Sequence, residues 1–458
     1  MENLSAFLSE VIKPSKITAP TEPYFDVTKY GVIGDGVTNN TKAINELINS
    51  VSAGIIFFPP GRYLSGSIML KSNMTLYLSS GAEILGSQDF EDYPEQTDLE
   101  EYGYTRPGRY ALVAAAFAEN VTITGGGTIN GRGDFFWDIV RNKTGLPPEL
   151  LKVSDMVRPR CIQTVLCRNV KIKDVTIKNS ACWTVHPLCC DNVVIDGISI
   201  KNPSDSPNTD GINPESCSNV RISNCMVDVG DDCITLKAGT ENDPLQKRFP
   251  CENITVTNCN LLNGHGGVVI GSEMSGCVRN ITVSNCIFSG TDRGVRIKTR
   301  RKRGGSVSRL MFSNLFMTDV HCPFTMNGFY RCGASCDDME LFDYGMKPLA
   351  DDTPVMEDIS INNVIVRRAT VAAMYIFGIP ERPIKNLRVH NFSVESVVDP
   401  KIRREAIMLP TFEKMQGKGI VLRNVSDSVF SEILVTTENE PLEYENLSNV
   451  TFNGEELA

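Results

Sequence analysis

The sequence contains no unbroken apolar run of about 18 residues, the length a membrane-crossing helix needs, so no membrane span is expected. It does not begin with a basic segment followed by an apolar one. Met1-Glu2-Asn3-Leu4-Ser5-Ala6-Phe7 shows no signal peptide, so a cytoplasmic location is the expectation, with secretion the alternative if a leader has been removed. Positive charge is in deficit: 45 Lys and Arg face 55 Asp and Glu, a net charge of −10, which argues against a general nucleic-acid binder. The 15 cysteines are odd in number and lack the spacing of a disulfide scaffold, so reduced thiols explain them best. Gly34-Asp35-Gly36 lacks the Lys-Ser/Thr that a phosphate loop needs, which leaves a tight turn. No nucleotide or metal motif is present, and no cofactor is expected.

What the chain does contain is an internal repeat. An Asn followed by alternating apolar and polar residues recurs at Asn120-Val121-Thr122-Ile123, Asn169-Val170-Lys171-Ile172, Asn192-Val193-Val194-Ile195, Asn219-Val220-Arg221-Ile222, Asn253-Ile254-Thr255-Val256 and Asn280-Ile281-Thr282-Val283. Fainter copies stand at Asp358-Ile359-Ser360-Ile361 and Asn386-Leu387-Arg388-Val389. The units are too short for helices and have the period of strands. Their spacing varies from 23 residues (Asn169 to Asn192) to 34 (Asn219 to Asn253), which argues against a propeller. It fits an all-β, right-handed, single-stranded parallel β-helix, a solenoid whose coils stack while loops of any length leave the corners.

This predicts residues 1–22 as an N-terminal helix and linker and 23–458 as one β-helix domain. Ala43, Ile44, Leu47, Ile48 and Val51 share one face of a helix that would cap the open end. Residues 88–118, 131–160 and 331–355 interrupt the repeat and read as long loops on one face. Stacking would align Asn224, Asn258 and Asn285 as a buried amide ladder, and Cys225, Cys259 and Cys286 as a small-residue core column.

Four polar islands lie within the best-repeated region: Asn208-Thr209-Asp210, Gly230-Asp231-Asp232, Gly264-His265-Gly266 and Arg296-Ile297-Lys298. Asp210 to Asp231 is 21 residues, Asp232 to His265 is 33 and His265 to Arg296 is 31, so each step is about one coil. Taken singly, each carboxylate island is a solvated turn, His265 is a structural histidine, and Arg296 with Lys298 is an exposed charged face. Stacked on one face they become a set. Like charges brought together raise the pKa of at least one carboxyl, and acid–base cleavage of a glycosidic bond needs an acid beside a base. Arg296 and Lys298, two apart on a strand, point to one side and suit an anionic sugar carboxylate. The following Arg300-Arg301-Lys302-Arg303 is a solvated loop or a positive field that draws a polyanion.

These four motifs, in this order, resemble those of the polygalacturonases, glycoside hydrolase family 28. The segment Phe25 to Thr41 resembles the capping region of pectin-acting β-helices, and Gly267 to Gly276 is similar to bacterial exo-acting members. The resemblance implies an inverting mechanism on α-1,4-linked galacturonan, with galacturonate released from the chain end. Asp231 would be the acid, Asp210 and Asp232 would hold and deprotonate water, and His265 would tune the acid. Arg296 and Lys298 would bind a galacturonate carboxylate, with Asn208 and Tyr330 as further substrate-binding candidates. His186, one coil before Asp210, is a candidate for lining a sugar subsite; for its neighbour Trp183, core packing competes with that role. Secreted fungal members rely on disulfides, which leaves the compartment open but not the chemistry. The alternatives are a rhamnogalacturonan or substituted-pectin exo-hydrolase, a β-helix lyase, and a non-catalytic carbohydrate-binding β-helix. The expected partner is a pectic saccharide, with neither nucleic acid nor membrane, and no reading of oligomeric state.

Overall fold

The computed structural model describes residues 3–12, 23–106, 108–142, 158–331, 338–407 and 414–457. The chain forms two compact units, Met1–Asp231 with Asp243–Phe249, and Asp232–Asn242 with Pro250–Ala458. Each is a stack of parallel β-coils.

In the first unit, one ladder runs through Tyr24–Asp26, Gly54–Phe58, Met74–Leu78, Glu119–Gly125, Arg168–Lys173, Asp191–Asp196 and Ser218–Ser223, every pairing parallel. Val170 aligns with Val193 and Val220, and Ile172 with Ile195 and Ile222; all six are fully buried. The residues between them, Lys171, Val194 and Arg221, face outward, as the two-residue period requires. A second ladder ends in Ser199–Lys201 and Met226–Asp228. A third joins Ile68–Leu70, Val113–Ala116, Ile162–Val165 and Val185–Leu188, and isolated bridges extend it to Ile212 and Glu215.

The repeated Asn has a backbone cause. Asn120, Asn169, Asn192 and Asn219 all sit at φ near +57°, in the left-handed region that Asn tolerates better than other residues with a side chain. Their amides then stack: Asn169 Nδ2 donates to Asn120 Oδ1 at 3.0 Å, and Asn192 Nδ2 to Asn169 Oδ1 at 2.8 Å. An amide is both donor and acceptor, so the ladder propagates itself. The expected second ladder is placed differently. Asn224, Asn258 and Asn285 are left-handed corners exposed to solvent rather than a buried column, because a left-handed corner turns the side chain out of the core. Cys225, Cys259 and Cys286 are buried, each 1% exposed.

Helix Thr41–Ser50 buries Ile44, Leu47 and Ile48. It also finishes a strand. Asn45 Oδ1 accepts from Met69 N at 2.9 Å, and its Nδ2 donates to Ser67 O at 2.8 Å, so one side chain replaces a missing neighbour at the edge of Ile68–Leu70. Helix Leu4–Val11 is capped by Asn3 and docks on the body instead of leading into it. Leu4, Phe7 and Leu8 share a core cluster with Leu99, Tyr104, Leu188, Leu245 and Phe249. The linker expected at 13–22 lies outside the described residues.

In the second unit, long strands Val278–Ser289, Ser306–Thr318, Val355–Ala369, Ile384–Ser396 and Lys418–Thr436 stack in parallel, so the faint late repeats are full coils. A parallel ladder beside them joins Ile234–Leu236, Val268–Gly271, Arg293–Lys298, Cys322–Asn327 and Ala372–Phe377. Leu442–Phe452 ends the stack. The interruptions are shorter as loops than expected. Strand Val113–Ala116 resumes inside 88–118, helix Asp134–Asn142 opens 131–160, and Met339–Phe342 forms a helical turn in 331–355. Residues 143–157 and 332–337 of those loops lie outside the described residues.

Replacing Asn45 by Leu keeps its branched shape but leaves the Met69 N–H and Ser67 carbonyl without this partner. Loss of about 1–3 kcal/mol is expected for such buried groups, read as a lower urea midpoint than wild type; an unchanged midpoint would show that the edge needs no cap.

Candidate active site

Asp210 is placed by backbone on one side and an amide on the other. Its carbonyl accepts from Thr184 N at 2.8 Å, and its Oδ2 accepts from Asn213 Nδ2 at 3.1 Å. Thr209 ties this coil to the next motif: its Oγ1 lies 2.5 Å from Ser206 Oγ and accepts from Gly230 N at 3.3 Å. Asp231 follows Gly230, and carboxylate oxygens of Asp210 and Asp231 come within 4.8 Å. Two carboxylates at that spacing can hold one water between them or supply two ligands to a cation. Asn208 is half-buried and accepts from Arg158 Nη2 at 2.8 Å.

Asp232, joined to Asp231 by a peptide bond, belongs to the second unit. It is 1% exposed and faces two cations. Lys298 Nζ donates to its Oδ2 at 2.8 Å, and Arg296 Nη1 lies 3.6 Å from Oδ1. Both cations come from strand Arg293–Lys298 and project to the same side, as expected. Tyr330 closes the cluster, its ring centroid 5.4 Å from Arg296 Cζ and 5.3 Å from Lys298 Nζ. Burial disfavours the Lys298 ammonium, but the Asp232 carboxylate, then Tyr330, more than offset it, and its pKa moves up. Lys298 is therefore a cation at any working pH.

The Gly264–Gly266 motif lies between these strands. Gly266 O accepts from Cys233 N at 2.7 Å, while His265 O accepts from Arg293 N at 3.2 Å. A Cβ on Gly266 would stand 2.3 Å from Val269 Cγ2 and 3.1 Å from Asp232 Oδ1, so only glycine fits against that carboxylate. The His265 side chain is exposed. Lys237, absent from the four motifs, also belongs here. It is 5% exposed, is held by Glu273 Oε2 at 3.0 Å, and its charge opposes that of Lys298. Its signal was an inward Lys on the strand that follows Asp232.

Two expectations need correction. His186 is 1% exposed, with Nδ1 3.2 Å from Gln163 Nε2 and Nε2 3.1 Å from Glu215 Oε2. Both ring nitrogens are engaged by protein, so it is an interior polar group, not a sugar-lining one. Burial first, then the Arg160 charge, lowers its pKa to about 4 despite Glu215. The basic run is not a solvated loop either. Arg300 and Arg303 both pair with Glu241, Arg301 pairs with Glu381, and all three arginines are buried.

Comparison with known proteins settles the family. The glycosyl hydrolases family 28 profile matches residues 61–403. The chain belongs to this family and is a glycosidase. A Vitis vinifera protein named probable polygalacturonase is 32% identical over 384 residues, covering 81% of this chain and 74% of the relative. The exo-poly-alpha-D-galacturonosidase of Dickeya chrysanthemi is 29% identical over 351 residues, 66% of this chain and 56% of that protein. A hyperthermoactive exopolygalacturonase from Thermotoga maritima superposes with a TM-score of 0.72 at 27% identity, over 91% of this chain and 99% of that one. The family 28 exopolygalacturonase of Yersinia enterocolitica gives 0.79 at 24% identity, over 96% and 80%, and shares the right-handed parallel β-helix. Residues 24–91 also match a rhamnogalacturonase A/epimerase, pectate lyase-like profile, in keeping with the capping segment read from Phe25 to Thr41.

His186 makes a pH prediction. Its folded pKa lies below the unfolded value, so the unfolded chain takes up a proton that the folded chain refuses. The stabilisation is whole above about 6.5 and is lost as pH falls toward about 4. His186→Gln should show a shallower fall in urea midpoint than wild type between those pH values; parallel curves would contradict the assignment.

Proposed function

We propose that the protein hydrolyses α-1,4-linked galacturonan with inversion, removing galacturonate from the non-reducing end. The observation that carries this reading is a covalent one. Asp231 and Asp232 are adjacent, Asp231 lies by Asp210, and Asp232 lies by Arg296, Lys298 and Tyr330. One peptide bond therefore links a carboxylate pair to a cation cluster suited to a uronate. In this reading Asp231 protonates the leaving oxygen. Asp210 and Asp232 orient the water and accept its proton. His265, exposed on its glycine-flanked turn, adjusts the acid. Arg296 and Lys298 hold a substrate carboxylate while also facing Asp232, and Tyr330 packs over both. Asn208 supports the substrate from the Asp210 side.

The close carboxylates constrain the mechanism. Inverting enzymes usually keep acid and base about 6.5–9.5 Å apart to fit the water between them. Asp210 and Asp231 oxygens approach within 4.8 Å, closer than that range, and inversion still requires the water they activate to reach the anomeric carbon from the face opposite the leaving oxygen.

Exo action is supported within the first unit. Met69, Ala114, Gln163 and His186 occupy matching positions on successive strands. Three of them are buried, and the 88–118 insertion contributes to the cover: Gln96 Nε2 donates to Gln163 Oε1 at 2.5 Å, and Arg106 binds Glu215 and Asp243. Cover by that insertion one coil from Asp210 would close the path of a long chain past the site. A rhamnogalacturonan substrate has less support, since the second profile match stops at residue 91, before every island.

The location proposed is cytoplasmic, where imported oligomers would be consumed. Thirteen described cysteines are free, twelve of them buried.

Asp231→Asn should fold normally and lose turnover by roughly 10³-fold or more, as expected when a general acid is removed together with its partners' function. On trigalacturonate and long polygalacturonate, wild type should release monomer from the start with slow viscosity loss. Near-normal activity in Asp231→Asn would remove the acid assignment, and mixed oligomers with fast viscosity loss would mean an open groove. Alkylation in denaturant without reductant, on protein from its native cells, should label all 15 cysteines; a protected pair would argue for an oxidising compartment.

A further inference from the structure

The face of the ladder that carries Arg296 and Lys298 can be followed rung by rung within the second unit. Arg296 aligns with Thr325, Tyr375 and Val421, and Lys298 with Asn327, Phe377 and Arg423. Matching positions on successive parallel strands face the same way. Both columns therefore continue the surface on which the two cations stand. A groove for a long polyanion would keep that surface open and polar. Instead Thr325, Asn327, Tyr375, Phe377 and Val421 are each at most 3% exposed.

An apolar strap covers the columns. Tyr375, Phe377 and Val421 share a cluster with Ala406, Ile407 and Met415, which belong to the connection between strands Ile384–Ser396 and Lys418–Thr436. The cluster also holds Phe329, whose ring centroid lies 4.8 Å from that of Phe377, and Tyr344 packs against both rings at 5.1 and 5.2 Å. The strap is pinned to the segment that carries the cations. Arg293 is 7% exposed and donates through Nε to Ala406 O at 3.0 Å and through Nη2 to Glu405 O at 2.6 Å. Burial first, then the charge of Arg296, lowers the pKa of this guanidinium. Next to it, Asp292 Oδ1 accepts from Arg404 Nη1 at 2.7 Å. Arg404 O in turn accepts from Met415 N at 3.0 Å, which ties the two arms of the strap together. Hydrogen bonds from a charged guanidinium are among the strong ones, so the cover is a fixed part of this face.

We propose that the strap is a length stop, which ends the groove within two coils of Arg296 and makes short oligogalacturonates, rather than the polymer, the preferred substrate. This deepens the galacturonan reading and rests on it. Two coil steps span about 10 Å, room for one or two sugars past the uronate held by Arg296 and Lys298. A longer chain has to lift off the ladder where Ile407 and Met415 stand, and its further sugars gain no contact there.

The test follows kcat/KM per chain end through di-, tri- and hexagalacturonate to long polygalacturonate. Wild type should gain nothing beyond the trimer and lose roughly 10-fold or more on the polymer, the size of effect that one steric conflict produces. Ile407→Ala combined with Met415→Ala thins the strap and should raise the polymer-to-dimer ratio by about 10-fold. A general loss of stability does not move that ratio. Arg404→Ala, at a side chain 53% exposed, should raise it by less and serves should the double variant not fold. A wild-type kcat/KM that climbs from trimer to polymer would overturn the proposal. So would an unchanged ratio in the folded double variant, or in Arg404→Ala in its stead. If wild type hydrolyses no galacturonide, the galacturonan reading has failed, and calorimetry on the same oligomers decides the strap alone. Affinity that stops growing at the trimer supports it; affinity still growing at the hexamer, or no binding, overturns it.

Discussion

The parallel backbone ladder, with neighbouring coils about 4.8 Å apart, is the constraint from which everything else here follows. It turns a sequence interval of one coil into a spatial contact. Asp210 and Asp231 are 21 residues apart yet share a few ångströms, because Thr209 and Gly230 are tied across the step between their coils. Gly266 lies by Asp232 for the same reason, its carbonyl bonded to the residue after that carboxylate. No single loop has to hold the site together. Each motif is fixed on a rung, and the rungs are fixed by hydrogen bonds that any sequence could make. The chemistry needed only the right side chain at the right interval.

The same ladder explains how charges survive burial. Asp232, Arg296 and Lys298 are each at most 7% exposed. Removing any one would leave its partners as uncompensated charges in a low-dielectric setting, which costs far more than a surface pair. Stacked strands let opposite charges be matched at short range without long loops. Arg300, Arg301 and Arg303 follow the same rule with Glu241 and Glu381.

Much of this was legible in the sequence, for a physical reason. A left-handed corner favours Asn, so the corners print themselves at Asn120, Asn169, Asn192 and their successors. The interval between corners gives the coil, and each island follows the last at about that interval. The exposure of Asn224, Asn258 and Asn285 is not legible in the pattern, because an amide ladder satisfies itself as well in solvent as in a core; Asn285 and Asn314 bond to each other at the surface. What could not be read were contacts made by insertions. Arg301 meets Glu381 across 80 residues, and Arg106 meets Glu215 across 109, with no period to announce either. The burial of His186 and the true state of the basic run both depend on such contacts. Helix Leu4–Val11 had an apolar face in plain view, but its docking partners, from Leu99 and Tyr104 to Leu188 and Phe249, are distant in sequence.

The central claim is that Asp231 acts as the acid while Asp210 and Asp232 hold and deprotonate the water, and the anomeric form of the first product tests it most directly. Proton NMR of trigalacturonate hydrolysis, recorded before mutarotation, should show the β-anomer of the newly formed reducing end appearing first from the α-linkage. Initial appearance of the α-anomer would mean retention, a carboxylate attacking the sugar itself, and the roles given to Asp210 and Asp232 would be wrong.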